Sequence, residues 1–235
     1  IRFDHRDTGR STTVPPGAAT YAVEDMAGDL VAILDAYGLP QAHLVGMSLG
    51  GYLSQMLAVT HPDRVASLTL IASEPLGWDG EALPQMVPEI TDHFGALATL
   101  HWTDRDAVAG FLLGIERLCV AEDAPFDAAA ARARIAAVLD RTESPASMFN
   151  HATLAVREEW TGRFREIACP TLVIHGAEDP VLPVANGMAL ADGIAGAKLV
   201  VLNGVGHEIP EGRTAEIAAR IAGHVRADAR GRGNA

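Results

Sequence analysis

Two cysteines, no apolar run long enough to span a bilayer and a shortage of basic side chains set the first limits on this 235-residue chain. Cys119 and Cys169 are far apart, neither has a partner at metal-site spacing, and a disulfide framework needs more of them. They read as two free thiols in a reducing compartment, which makes a cytoplasmic location the expectation. A spanning helix needs about 20 consecutive apolar residues, and the chain has no such run. It opens on neither a secretory leader nor an initiator methionine but on Ile1-Arg-Phe-Asp4. Lys and Arg total 18 against 30 Asp and Glu, a formal net charge of -12. A chain of that charge repels nucleic acid and anionic membranes, so neither is an expected partner. The acidic residues are spread along the sequence and read as a solubilising surface.

What is present fits one α/β domain. Hydrophobic residues make up 49% of the chain and charged residues 20%, as in a globular protein with an ordinary core. Ile1–Asp4 is extended in character, like the end of a strand, and residues 8–17 hold the Gly, Ser, Thr and Pro of a loop. Apolar residues at Val23, Met26, Ala27, Leu30, Val31 and Leu34 recur at helical spacing until Gly38-Leu-Pro40 stops the helix. His43–Met47, Leu68–Ala72, Thr171–His175 and Lys198–Leu202 are short apolar runs without polar alternation, which predicts strands buried on both faces of a parallel sheet. A helix is predicted from Leu49 to Val59, ended by His61-Pro62, and others over Val184–Ile194 and Thr214–Val225. Residues 228–235 are polar and Gly-rich, as a frayed end would be. Between Ser73 and Arg165 the pattern turns helical, at 83–100, 104–120, 127–141 and 146–157, with no good strand. The division implied is a core of residues 1–73 and 166–235 with a helical cap of residues 74–165. Strands alternating with helices give a sheet covered on both faces, with its reaction site at the carboxyl ends of the strands.

Gly46-Met-Ser48-Leu-Gly50 stands at one such end, between a predicted strand and a predicted helix. A serine on a strained strand-to-helix turn holds its hydroxyl clear of the sheet. Gly46 and Gly50 are expected where a Cβ would strike neighbouring backbone. The helix beginning at Leu49 aims its positive end at the site, and the Leu49 N–H is an expected oxyanion donor. Serine at its ordinary pKa needs a base. Of nine histidines, His207 in Gly204-Val-Gly-His-Glu208 follows the last strand in a loop. His5, after the first extended stretch, is its one rival. The other partner in this arrangement follows a strand between serine and histidine in chain order. Asp179, in His175-Gly-Ala-Glu-Asp-Pro180, does so. Glu74, after the second strand, is the alternative, and Glu178 is expected to face elsewhere.

Asp4-His-Arg-Asp-Thr-Gly-Arg-Ser11, Gly46-Met-Ser-Leu-Gly-Gly51, His61-Pro-Asp-Arg-Val65, His175-Gly-Ala-Glu-Asp-Pro180 and Gly204-Val-Gly-His207 together resemble the α/β-hydrolase superfamily. The opening stretch is similar to that of bacterial methyl esterases. The resemblance implies Ser48 as nucleophile, Asp179 as acid, His207 as base, and a cap that builds much of the substrate pocket. It implies cleavage of a small, fairly apolar ester or lactone through an acyl-enzyme, with no metal or organic cofactor. The same triad would also serve a carbon–carbon bond hydrolase or a cofactor-free haloperoxidase-like enzyme, and a ligand-binding protein without turnover is the remaining alternative. One departure stands at the front. Members of the superfamily have about three more strands before the position of Ile1, and a loop there supplies the second oxyanion N–H. A sheet without the third of those strands leaves backbone groups unpaired beside His43–Met47. The expectation is therefore a fragment, or a chain whose natural start lies upstream.

Overall fold

A computed structural model describes the backbone of residues 1–232 and the side chains of residues 1–227. Its elements follow in the order α1 (Val23–Ala36), β1 (Ala42–Met47), α2 (Leu49–Thr60), β2 (Val65–Ile71), α3 (Pro88–Gly95), α4 (Arg105–Cys119), α5 (Ala128–Arg141), β3 (Thr171–Gly176), α6 (Ala185–Gly193), β4 (Lys198–Leu202) and α7 (Thr214–Arg232). The four strands form one parallel sheet in the order β1-β2-β3-β4, so each pairs with its neighbour in sequence.

The pleat sorts the core into two layers. Leu68 and Leu70 of β2 and Val173 of β3 point to one face, where Met26 and Leu30 of α1, Leu53, Met56 and Leu57 of α2 and Leu190 of α6 cover them. Ile71, Leu172, Ile174 and Leu202 lie on the other face against Ile217 of α7. β2 and β3 are buried along their whole length, as their unbroken apolar runs predict. β1 and β4 are not. β1 is an edge with Val45 51% exposed, and β4 is the opposite edge with Val201 38% exposed. Sequence pattern marks a strand as apolar; its place in the sheet decides whether both faces are covered.

Four further expectations change. Ile1–Asp4 forms no strand, because no ladder pairs with it. Residues 145–153 make 3₁₀ turns rather than an α-helix, and α3 starts only at Pro88, whose fixed φ suits a first helical turn. The last helix continues to Arg232, past the point where fraying is expected, and residues 233–235 lie outside the described residues.

Between β2 and β3 the described backbone is helical or irregular throughout. Asp104 caps α4 and Asp127 caps α5, each carboxylate accepting two free N–H groups of the first turn. Val108, Ile135 and Leu139 form a small core of their own, with Trp102 packed beside it. A buried polar knot ties this segment to the amino-terminal loop. Asp7 accepts from Val14 N at 2.7 Å, from Asn150 Nδ2 at 2.8 Å and from the Tyr21 hydroxyl, while Asn150 Oδ1 accepts from Gly17 N. Ser147 Oγ donates to Val14 O. Removing one member of such a knot strands its partners away from water.

Candidate active site

Ser48 follows β1 with φ 49° and ψ -120°. An L-residue held in that region costs on the order of 1–3 kcal/mol, so the surroundings must impose it. They do so from both sides. Ser48 N donates to Ile71 O at 2.9 Å, locking the turn to β2. The Ser48 carbonyl accepts from the Gly51 and Tyr52 N–H groups, which starts α2, and also from Ser73 Oγ. Leu49 is the first residue of α2, so its N–H has no acceptor within the helix.

The glycines divide unevenly. A Cβ on Gly46 would sit 2.2 Å from Gly50 O, so the close approach of β1 to α2 requires glycine there. A Cβ on Gly50 would meet nothing within 4 Å, contrary to the crowding expected at that position. Gly50 instead borders an open cavity of about 320 Å³ beside the β1 edge, with Ile1, Phe3, His5 and Val45. The second tight contact belongs to Gly51, whose Cβ would fall 2.6 Å from Ser73 Oγ.

Asp179 lies in the turn after β3, its side chain fully buried. Oδ1 accepts from Val181 N at 2.9 Å and Leu182 N at 2.8 Å. Oδ2 faces His207 Nδ1 at 2.8 Å and His175 Nε2 at 3.4 Å. Burial alone would raise the Asp179 pKa, but the hydrogen bonds from His175 and His207, the charge of His207 and the Leu182 N–H outweigh it and hold the carboxyl at about 2. Because an ionised carboxylate only accepts, the His207 proton belongs on Nδ1, which leaves Nε2 with a free lone pair. The His207 loop is fixed from the other side by the end of α4. His207 N donates to Cys119 O at 2.7 Å, and a Cβ on Gly206 would lie 2.1 Å from that same oxygen. Val87 N likewise bonds Pro180 O beside Asp179. Backbone from the helical segment thus grips both loops, which sequence spacing gives no means of seeing. Burial, with Asp179 and Glu208 adding to it, pushes the Cys119 thiol up to about 11.

The alternatives fall out of this arrangement. Glu178 turns away and accepts from Gly204 N. Glu74 follows β2 with part of its surface open, yet desolvation of its carboxyl raises its pKa; its carbonyl accepts from Gln55 Nε2, and among the described residues no histidine bonds its carboxylate. His5 lies against Phe3 and His151, its Nδ1 buried without a partner. Burial and the neighbouring His151 lower its pKa. His43, at the opposite end of β1, bonds Ser67 Oγ. Phe111 is core, stacked on His93, and Trp102 and Phe94 close around Phe149.

Ser48, Asp179 and His207 all stand at the carboxyl edge of the parallel sheet, after β1, β3 and β4. Asp179 and His207 are joined; among the described residues no hydrogen bond joins Ser48 Oγ to the imidazole. A groove of about 1040 Å³ runs past His207 between α4, α5 and the loop after β4, and Ser48 does not line it.

The alpha/beta hydrolase fold model matches residues 1–213, which is most of the chain. The chain belongs to that family. Rhodomycin D methylesterase DauP of Streptomyces sp. (strain C5) is 31% identical to this hydrolase over 244 aligned residues, covering 97% of it and 81% of the relative. The 2-hydroxymuconate semialdehyde hydrolase of Pseudomonas sp. (strain CF600) is 31% identical over 82% of this chain and 64% of that protein. Among solved structures, Est816, described as an N-acyl homoserine lactone degrading enzyme, superposes with a TM-score of 0.68 at 33% identity, covering 94% of this hydrolase and 80% of that chain. None of the helices described for the hydrolase is long and apolar enough to cross a membrane.

Proposed function

We propose that this α/β-hydrolase cleaves a small, fairly apolar carboxylic ester or lactone through an acyl-enzyme on Ser48. The observation that carries the reading is the pairing of a strained serine (φ 49°) with a buried Asp179–His207 hydrogen bond at the same edge of the sheet. His207 Nε2 takes the Ser48 proton as Oγ attacks the carbonyl carbon, and the imidazolium then protonates the leaving alkoxide. Water deprotonated by the same nitrogen attacks the acyl carbon, the acid departs and Oγ regains its proton. Asp179 keeps the imidazole in the Nδ1–H form and stabilises its positive charge. The Leu49 N–H, at the start of α2, faces the developing oxyanion. The Ser48–His207 hydrogen bond has to close as substrate enters; in ligand-free enzymes such bonds are often long and tighten in the Michaelis complex. Residues 74–165 act as the cap, and the substrate is a small molecule, consistent with the methylesterase and lactone-degrading relatives.

A fluorophosphonate probe tests the assignment. It labels the native protein and fails to label Ser48→Ala; equal labelling of both removes Ser48 as nucleophile. A second reading for the same three residues is cleavage of a carbon–carbon bond in a β-diketone-like compound; one relative is named a semialdehyde hydrolase rather than an esterase. Rapid turnover of short p-nitrophenyl esters favours the ester reading, and slow turnover favours the second.

A further inference from the structure

His175 is the penultimate residue of β3, four residues before Asp179, and its side chain is completely buried. Its Nε2 lies 2.7 Å from Leu182 O and 3.4 Å from Asp179 Oδ2. Both neighbours are acceptors, so the proton sits on Nε2, where it is donated to Leu182 O with Asp179 Oδ2 close beside it. The other nitrogen, Nδ1, is buried and meets no partner. α6 presses on that side of the ring: a Cβ on Gly187 would approach Nδ1 to 2.7 Å and Cγ to 2.8 Å. The ring therefore has no room to swing, and its one working atom is the Nε2–H.

That atom reaches the turn that matters. Asp179 Oδ1 is held by Val181 N and Leu182 N, and the carbonyl of the same Leu182 is held by His175. The imidazole clamps the turn to the end of β3, and the carboxylate oxygen that faces His207 lies beside the same N–H. We propose that His175 is a positioning residue, which through its Nε2–H fixes the Asp179 carboxylate so that Oδ2 points at His207. It touches no substrate. The proposal rests on the reading of Asp179 and His207 as the acid and base of an acyl-transfer site.

Three measurements test it. In the wild-type protein, ¹⁵N–¹H correlation of the imidazoles is expected to show His175 as the Nε2–H tautomer; an Nδ1–H tautomer overturns the proposal. His175→Phe keeps a ring of similar shape and removes the donor. Its kcat on a p-nitrophenyl ester, per serine titrated with fluorophosphonate, is expected to fall about 10- to 100-fold, the scale of a small misplacement of a catalytic group. Its KM should stay within about twofold, because a residue that never meets substrate changes no ground-state binding. His175→Gln restores an N–H at about the same reach and is expected to recover most of kcat. A folded His175→Phe with wild-type kcat overturns the proposal, and so does a folded His175→Gln no better than His175→Phe. If His175→Phe does not fold, His175→Gln decides, since a folded protein with kcat reduced to that degree is incompatible with rescue by an amide donor. Failure of the underlying reading looks different: the wild type then neither labels nor hydrolyses esters. The His207 Nδ1–H resonance still reports in that case. It is expected to move in a folded His175 variant lacking the donor, and an unmoved resonance overturns the positioning role.

Discussion

Replacing Asp179 by Asn changes one oxygen to an NH₂ group in a site with no room to turn. Oδ1 is committed to the Val181 and Leu182 N–H groups, so the amide must place its oxygen there and its NH₂ where Oδ2 was. That NH₂ faces the N–H of His207 at 2.8 Å and of His175 at 3.4 Å, donor against donor. His207 relieves the conflict by moving its proton to Nε2, and an Nε2–H does not accept the serine proton. The expected loss in kcat is on the order of 10⁴-fold, the size found when a serine protease triad is altered in this way. Stability falls too. Lowering the Asp179 pKa from 3.8 to about 2 on folding corresponds to about 2 kcal/mol at neutral pH. For a chain of this length that is about 4–8 °C in Tm. The sign follows from the direction of the shift. The folded value lies below the unfolded one, so this stabilisation is complete above about pH 4 and disappears as pH falls toward 2. Thermal melts at pH 7 and at the lowest pH where both proteins remain folded, with ester hydrolysis at pH 7, make the assay. A folded Asp179→Asn variant with kcat within about tenfold of wild type would refute the tautomer argument.

Two further substitutions separate contacts that the sequence treats alike. Gly46→Ala drives a Cβ into the Gly50 carbonyl and should lower stability in urea by about 1–3 kcal/mol or more, whereas Gly50→Ala has open space and should change it by less than about 1 kcal/mol; equal effects would contradict the packing described at the turn. Gly206→Ala pushes the His207 loop away from Cys119 O. It should lower kcat by about 10- to 100-fold while the far-UV spectrum stays native, since a small displacement of the proposed base His207 weakens catalysis before it unfolds anything; an unchanged kcat would show that the α4 contact does not hold His207 in place.

The placement of the candidate site residues was legible because it is bound to chain order. Ser48 sits between a strand and a helix, Asp179 and His207 follow later strands, and in a parallel sheet every strand ends at the same edge. The strands Thr171–His175 and Lys198–Leu202 were visible as apolar runs within a residue of their observed ends. The 3₁₀ turns of residues 145–153 were not, since apolar spacing over so few residues does not separate the two helix types.

The residues themselves determined which atoms could do chemistry and in what order the sheet presents them, because side-chain identity and strand period are local properties. Tertiary structure alone decided the rest: that β1 is an edge with Val45 uncovered, that Gly51 rather than Gly50 is the crowded glycine, and that the end of α4 grips the His207 loop through Cys119 O. It also decided that His175, read in sequence as one more apolar-strand residue, donates its N–H to Leu182 O in the turn that holds Asp179. Each of these is a contact between segments distant along the chain or a consequence of which face is covered. Such contacts depend on how the layers close over one another, and no spacing within a single segment records that.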